Sequence, residues 1–197
     1  FWMSNYSDQW DNTYQITGDI DASSTNTWYG GSGFLPIGRD PNPFTGEFDG
    51  QRNEISSLYI DRPTTDYIGF FGFATGARIE NIGITSVDIN GRDDVGGLIG
   101  YTVTSSYIGN SYVTGSVQGG NDVGGLVGSI YTNSEITGSY SLCEVFGINQ
   151  VGGLVGFNYN SSLIEESYAT GSITSSENDV GGFAGRNFNA TIRECFS

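Results

Sequence analysis

One short motif occurs four times in this sequence: VGGLIG at residues 95–100, VGGLVG at 123–128 and 151–156, and VGGFAG at 180–185. Successive copies start 28, 28 and 29 residues apart, and a degenerate copy, IGFFG, starts at Ile68, 27 residues before Val95. Two further apolar rows keep the same period. They are Ile79, Ile108, Ile136, Ile164 and Ile192, and Val117, Val145 and Ile173. Three rows in one register indicate an internal repeat.

The residues between the motif copies are typical of short β-strands. Runs rich in Val, Ile, Tyr, Thr and Ser are separated by Gly, Asn and Asp, and no segment has the 3.6-residue apolar period of a helix. One copy cannot bury its apolar side alone, but stacked copies can. A 28-residue period fits a coil of about three short strands that rises about 4.8 Å. The sequence therefore predicts an all-β fold, a parallel β-solenoid of about 28-residue coils.

Aligned copies also predict which side chains face the interior. The isoleucine row is expected inside, and the polar row two residues later predicts a bend, because simple alternation would bury it. That polar row is Asn110, Gly138, Glu166 and Glu194. Counting back from the valine row places small residues inside, namely Val113, Ser141, Ala169, Gly115, Cys143 and Gly171, together with Ser111, Ser139 and Ser167. The same count places an aromatic row outside.

That aromatic row is Tyr112, Tyr140, Tyr168 and Phe196. Two interpretations of it remain open. Either the row is an external apolar stripe that suits a partner or a sugar ring, or a second bend tucks it into the core.

The motif and its flanks resemble a known family. VGGLVG at a 28-residue period, flanked by Ile-x-x-Ser-Tyr, is similar to the GLUG repeat of bacterial and archaeal surface proteins. The stretches YQITGDIDAS (residues 14–23), GFLPIG (33–38) and FTGEFDGQ (44–51) resemble the segment that precedes such repeats. The resemblance implies a non-catalytic repeat of the kind that accompanies adhesins and some immunoglobulin A metallopeptidases. Those peptidases carry their zinc motif elsewhere, and no His-Glu-x-x-His occurs here, so their activity does not transfer.

The composition excludes several kinds of chemistry. The 197 residues include 22 acidic and seven basic ones, all arginine, which gives a net charge of −15. Without histidine there is no Ser-His-Asp or Cys-His nucleophile and no imidazole zinc site. Without lysine there is no Walker phosphate loop and no Schiff base. The acidic balance argues against nucleic-acid binding, and no apolar run of about 18 residues predicts a membrane span.

Acidic or amide residues recur directly before each Val-Gly-Gly. The pairs are Asp93 and Asp94, Asn121 and Asp122, Asn149 and Gln150, and Asn178 and Asp179. Stacked about 4.8 Å apart, Asp94, Asp122 and Asp179 are candidate calcium ligands, because oxygen-rich loops suit that ion. The simpler interpretation, which we favour, is a solvated turn in which amides interrupt the charge. No other cofactor is expected.

Two further residue sets have both a functional and a structural interpretation. Glu135, Glu165, Glu166 and Glu194 lie on neighbouring coils, where paired carboxylates would suit a polysaccharide-cleaving β-helix, but a hydrophilic outer face explains them more simply. The N-terminal aromatic residues would suit carbohydrate stacking if exposed, but we favour a hydrophobic cap over the first coil. They are Trp2, Trp10, Tyr14, Trp28, Tyr29 and Phe34. We accordingly predict a capping segment over residues 1–32 and solenoid repeats over 33–197.

The two cysteines are predicted to be free. Alignment places Cys143 two coils away from Cys195, an axial gap of about 9.6 Å. A disulfide needs Cα atoms within about 7 Å, so we expect two free thiols in small buried slots. Three residues, Asn5, Asn160 and Asn189, begin sequons for N-glycosylation, and the last two occupy equivalent corners one coil apart.

The last six residues repeat half a coil, which predicts an unpaired strand edge at Ser197. This edge is either an assembly interface or a boundary within a longer array. We expect a piece of a longer protein: a non-catalytic extracellular module of a cell-surface or secreted protein, acting in adhesion or as a structural subunit of an assembly or filament. Expected partners are other copies or neighbouring repeats at that edge, and a host surface or glycan. The alternative is a polysaccharide-binding or polysaccharide-cleaving β-helix.

Overall fold

The computed structural model describes residues 2–197 and confirms the parallel β-solenoid. Within these residues 24 strands form four sheets, here called A to D in the order in which a coil passes through them. All pairings between these strands are parallel. The sheets run along the solenoid axis, over about five coils of about 28 residues.

Sheets A and B carry the isoleucine row and the aromatic row, respectively. The strands of sheet A are Thr13–Gln15, Glu47–Asp49, Arg78–Glu80, Tyr107–Gly109, Glu135–Thr137, Leu163–Glu165 and Thr191–Arg193. Those of sheet B are Ile20–Asp21, Glu54–Ser56, Gly83–Asn90, Tyr112–Gln118, Tyr140–Gly147 and Tyr168–Ala169. Two shorter strands, Tyr59–Asp61 and Ile173–Ser175, pair with Gly83–Asn90 and Tyr140–Gly147 and complete sheet B.

Sheets C and D contain the repeated motif. The strands of sheet C are Val95–Gly96, Asn121–Gly124, Asn149–Gly152 and Val180–Gly181. Those of sheet D are Phe71–Thr75, Ile99–Val103, Val127–Ile130, Val155–Tyr159 and Ala184–Phe188. Each VGGLVG therefore ends one strand, turns a corner and begins the next.

Close packing between and across coils explains the glycines of the motif. A Cβ on Gly124 would lie 2.1 Å from the carbonyl oxygen of Val127, and one on Gly128 would lie 2.6 Å from the carbonyl carbon of Asp94 in the preceding coil. The middle glycine, Gly125, faces Ser141 across the coil, where a Cβ would come within 2.0 Å of Oγ. A larger residue at any of these positions would force the coils apart.

The same contact explains the small residues inside sheet B. Because the Val-Gly-Gly backbone lies directly opposite, only short side chains fit there, and Val113, Ser141 and Ala169 are all buried. The predicted direction of these side chains is confirmed. Cys143 and Val145 of the same sheet are also fully buried.

The predicted bend after the isoleucine row is confirmed by left-handed backbone conformations. The φ angles are 48° at Asn110, 57° at Gly138, 49° at Glu166 and 54° at Glu194. Asn and Gly adopt this conformation more easily than other residues, which explains their frequency at corners.

Buried serines connect the coils at this corner. The Ser111 N–H donates to Ser139 Oγ (3.1 Å), and the Ser139 N–H donates to Ser167 Oγ (3.2 Å). Each hydroxyl also donates to a carbonyl of its own coil, as Ser139 does to Thr137 (2.9 Å). The serine column thus satisfies buried polar groups while holding neighbouring coils in register.

The N-terminal segment packs against the next coil and contributes the strands Thr13–Gln15 and Ile20–Asp21 to sheets A and B, so the solenoid begins before residue 33. Three 3-10 helices, Trp2–Asn5, Ser7–Gln9 and Ser23–Gly31, accompany the first strands of sheets A and B. Trp10 and Phe34 are buried, Tyr14 and Trp28 pack against the core, and Tyr29 is exposed. The side chain of Trp2 lies outside the described residues. No helix within residues 2–197 is long and apolar enough to cross a bilayer.

Candidate interaction surfaces

Four aromatic side chains form a continuous stack on the outer side of sheet B, here called the tyrosine ladder: Tyr112, Tyr140, Tyr168 and Phe196. Successive ring centroids are 4.8, 4.7 and 5.0 Å apart, and successive ring planes differ by only 4°, 6° and 3°. The three tyrosines are half-buried and Phe196 is 64% exposed. Of the two interpretations, the external row is the one observed.

The stacking decides which part of each ring a ligand can reach. Parallel rings about 4.8 Å apart leave no space for another ring between them, so their faces are directed at each other. At the N-terminal end, Tyr112 lies over Gly83, where a Cβ would come within 2.5 Å of the Tyr112 ring, and its hydroxyl donates to Glu54. The ladder therefore offers ring edges and hydroxyl groups, and an open face only at Phe196.

The acidic residues before the motif occupy a second left-handed corner, with φ angles of 53° at Asp94, 54° at Asp122, 53° at Gln150 and 58° at Asp179. Asp94 and Asp122 are half-buried rather than fully solvated. Burial raises the pKa of Asp94 to about 7 and that of Asp122 to about 6. The reason is the close coil contact at Gly128 and Gly156, which lays each side chain over the next coil.

The two half-buried carboxylates differ in their partners. Asp94 accepts a hydrogen bond from the Ser129 hydroxyl, whereas the buried Oδ1 of Asp122 has no hydrogen-bond partner among residues 2–197. Asp179, at the same corner of the last coil, is exposed and lies 3.9 Å from Arg186.

Amide side chains separate the charges in the adjacent column. Asn121 Nδ2 donates to Asp93 Oδ1 (2.8 Å), and Asn149 Nδ2 donates to Asn121 Oδ1 (3.1 Å). Across residues 2–197, no three His, Cys, Asp or Glu side chains converge as a metal site. Calcium binding at Asp94, Asp122 and Asp179 stays a prediction.

A second aromatic surface, which the sequence analysis missed, lies at sheet D and the corner beside it. We call it the aromatic cluster; it comprises Tyr67, Phe73, Tyr101, Tyr131, Phe157, Tyr159 and Phe188. Neighbouring centroids lie 5.1–5.8 Å apart, and most ring planes are inclined by 39–78°. Its signal in the sequence is weak because the rings alternate between two columns, and Ser129 interrupts one of them. Unlike the ladder, this cluster is not a parallel stack.

The last coil has an open end. The strands Thr191–Arg193, Ala184–Phe188 and Val180–Gly181 each pair on one side only. Val180 is 49% exposed, although its counterparts Val123 and Val151 are fully buried. A cavity of about 340 Å³ opens at this end, lined by Phe183, Asn187, Ile192 and Cys195 among others.

The remaining candidates are the glutamates of neighbouring coils, of which Glu135 and Glu194 also lie near Arg193, and the sequon residues. Glu165 is ion-paired with Arg193 (2.5 Å), and Glu166 occupies the left-handed corner. The sequon residues Asn5, Asn160 and Asn189 are all exposed.

Both cysteines are free, as predicted. Cys143 is buried, and burial raises its pKa to about 12. The expected burial of Cys195 is wrong in degree, since it is only half-buried where no further coil covers it.

Comparison with known proteins identifies the repeat. The family description "The GLUG motif" matches residues 147–174, which is one full coil. The match covers this one coil of the chain. The resemblance inferred from VGGLVG and its period is therefore confirmed.

One known protein is similar to this chain in sequence and another in fold. Halomucin of Haloquadratum walsbyi is 37% identical over 129 residues, which is 58% of this chain and 1% of that protein. The chain thus spans about one hundredth of that relative's length. A crystal structure of a protein provisionally described as an immunoglobulin A1 protease, from Bacteroides ovatus, matches 94% of this chain and 70% of its own. Its TM-score is 0.57 at 18% identity, which shows a shared fold and nothing about activity.

Proposed function

We propose that this chain is a non-catalytic extracellular module of a surface protein, in which the solenoid is a structural element. The observation that carries the proposal is the difference between its ends. One end is covered by 3-10 helices and buried aromatic residues, whereas the other presents unpaired strands and half-exposed interior residues. The similarity to halomucin supports a surface setting, because the name of that relative describes it as a mucin. The matched segment makes up 1% of that protein.

The surface charge supports an extracellular setting. The net charge of −15 with no lysine, and a composition rich in Ser, Thr, Asn and Gly, suit a strongly solvated and salt-rich exterior. Exposed sequons at Asn5, Asn160 and Asn189 are positioned to carry glycans.

The expected partner at the open end is a further coil of the same repeat, supplied by a neighbouring repeat or another copy. Such a coil would pair with the free edges of sheets A to D and cover Val180 and Ile192. An interior asparagine pair continues to this end, since Asn158 Nδ2 donates to Asn187 Oδ1 (2.8 Å). In repeat proteins each added unit stabilises its neighbour through the shared interface.

Extension of the chain by one coil tests this role. A second copy of residues 170–197 is appended after Ser197, and amide hydrogen exchange is measured in the strand Ala184–Phe188 of the original chain. We expect protection to rise towards that of Val155–Tyr159. The control extension has its interior Val, Ile and Phe residues replaced by Ser, and should give no protection. Equal protection by both extensions, or by neither, would contradict a coil-stacking role.

A second candidate, polysaccharide binding as in adhesion, is favoured by the aromatic cluster. Inclined rings that are not stacked in parallel suit sugar faces better than the tyrosine ladder does. Removal of one cluster ring, Tyr101→Ser, should weaken polysaccharide retention in affinity electrophoresis. The ladder variant Tyr140→Ser should not, and equal effects of the two variants would count against this function.

A further inference from the structure

The coil that contains Glu47–Asp49 and Tyr59–Asp61 differs from all later coils at the corner between sheets B and C. Registers pair Asp61 with Asn90 and Ile68 with Val95, so residues 62–67 occupy a corner that residues 91–94 fill in the next coil. Six residues thus replace four. The longer corner, RPTTDY, lies beside residues 35–40 of the N-terminal segment, and the two segments enclose a cavity of about 290 Å³.

Two arginines line this cavity without an acidic partner. Four of the seven arginines form salt bridges, namely Arg78, Arg92, Arg186 and Arg193. Arg39 and Arg62 have no carboxylate within 4.0 Å among residues 2–197. Two carboxylates, Asp40 and Asp66, line the same wall, but Asp66 is ion-paired with Arg92, so its charge is already balanced.

Backbone carbonyls hold both guanidinium groups in place. Arg39 Nη1 donates to the carbonyls of Ser4 (3.0 Å) and Pro36 (2.7 Å). Arg62 donates from Nε to Phe34 (3.2 Å) and from Nη2 to Gly33 (3.3 Å). Since a guanidinium has five N–H donors, each arginine keeps three that these bonds do not use.

Aromatic rings and partial burial further fix the two cations. Arg39 lies 4.9 Å from the centre of the Trp10 ring, and Arg62 lies 5.6 Å from that of Tyr29. Burial lowers the pKa of both arginines, which means that their charge is incompletely solvated. A bound anion would relieve this cost at donors that are already oriented.

We propose that this cavity binds a small hydroxylated carboxylic acid of monosaccharide size, which is the chemistry of a sugar acid. The free N–H groups of Arg39 and Arg62 bind the carboxylate, because a planar guanidinium matches it with two parallel hydrogen bonds. Asp40 and Thr65, also on the wall, accept or donate hydrogen bonds to hydroxyls, and Pro36 and Tyr67 supply apolar contact. The volume lies at the small end of ligand sites. The proposal goes beyond the structural role and does not depend on it.

Nuclear magnetic resonance titration of the full chain with glucuronate tests the proposal, with glucose as the neutral control. Saturable shifts are expected at the amides of Arg62 and of residues 64–67 with glucuronate, and at least about tenfold weaker binding of glucose. Arg62→Gln should weaken glucuronate binding about tenfold or more. The matched control, Arg52→Gln, removes an exposed, unpaired arginine at the corner between sheets A and B, and should change affinity less than about twofold.

Three results would overturn the proposal: equal binding of glucuronate and glucose, equal weakening by the two glutamine variants, or no saturation up to about 50 mM glucuronate. If Arg62→Gln does not fold, Arg62→Lys keeps the charge but loses the planar fork and should still weaken binding several-fold. Unchanged affinity in that variant would also overturn the assignment of Arg62.

Discussion

The middle and the last coil of this solenoid are built from the same kinds of side chain but differ in their burial. Val123 in the middle is fully buried, whereas Val180, at the same place in the last coil, is 49% exposed. At the N-terminal end, a non-repetitive segment with Trp10 and Phe34 buried packs against the coil that follows it. The comparison shows that the burial of a side chain in a repeat depends on whether another coil lies against it, and not on the residue type alone.

The largest expected effect separates a covered from an uncovered isoleucine. Ile136 is fully buried, while Ile192, two coils later in the same column, is partly exposed. Ile136→Ala should lower the free energy of unfolding in urea by about 2–5 kcal/mol, because it leaves a cavity between two coils. Ile192→Ala should cost less than about 1 kcal/mol. Equal losses would show that the last coil is as well packed as the middle.

The second effect concerns pH and the left-handed acidic corner. The folded-state pKa of Asp94 is about 7, well above the ordinary 3.8, so the folded state binds the proton more tightly than the unfolded state. The free energy of unfolding should therefore fall as pH rises from about 4 to about 7. Asp122, with a pKa of about 6, contributes part of this loss, so Asp94→Asn should remove only the share that Asp94 causes and stabilise the protein by about 2–4 kcal/mol at pH 8.

The control for this effect lies at the other end of the same column. Asp179 is exposed beside Arg186, so Asp179→Asn should leave the pH dependence of thermal unfolding unchanged. If the two variants gave the same pH profile, burial by the next coil would not be the cause.

The smallest effect concerns the serine column. Ser139→Ala leaves the buried N–H of Ser111 without its acceptor and should cost about 1–2 kcal/mol in urea unfolding. Cys195 takes the same place in the last coil but is only half-buried, and Cys195→Ala should cost a few tenths of a kcal/mol. A loss as large for Cys195 as for Ser139 would contradict the difference between the ends.

Periodicity made the regular coils predictable. Three apolar rows in one register gave the coil length, the inward direction of Ile108 and Val113, and the bend at Asn110. These features depend only on the alternation of side chains and on which residues tolerate a left-handed backbone. The free cysteines followed from coil spacing alone.

The sites that prediction missed depend on contacts between segments with no repeat relation. Burial of Asp94 depends on the glycine contact at Gly128, one coil away in space and 34 positions along the chain. The cavity with Arg39 and Arg62 lies where the N-terminal segment meets the one lengthened corner, so no second copy existed to align. Sequence periodicity gives no information where a coil is unique.

Parallel strands that lie across the axis also determine how this module would respond to pulling along its length. Force applied at the two ends loads the hydrogen bonds between neighbouring coils. These bonds break one coil at a time, rather than all together in shear. Each coil that detaches exchanges about 4.8 Å of rod for about 95 Å of extended 28-residue chain. Optical-tweezer extension should register steps near that size, so a row of these coils would act as a shock absorber.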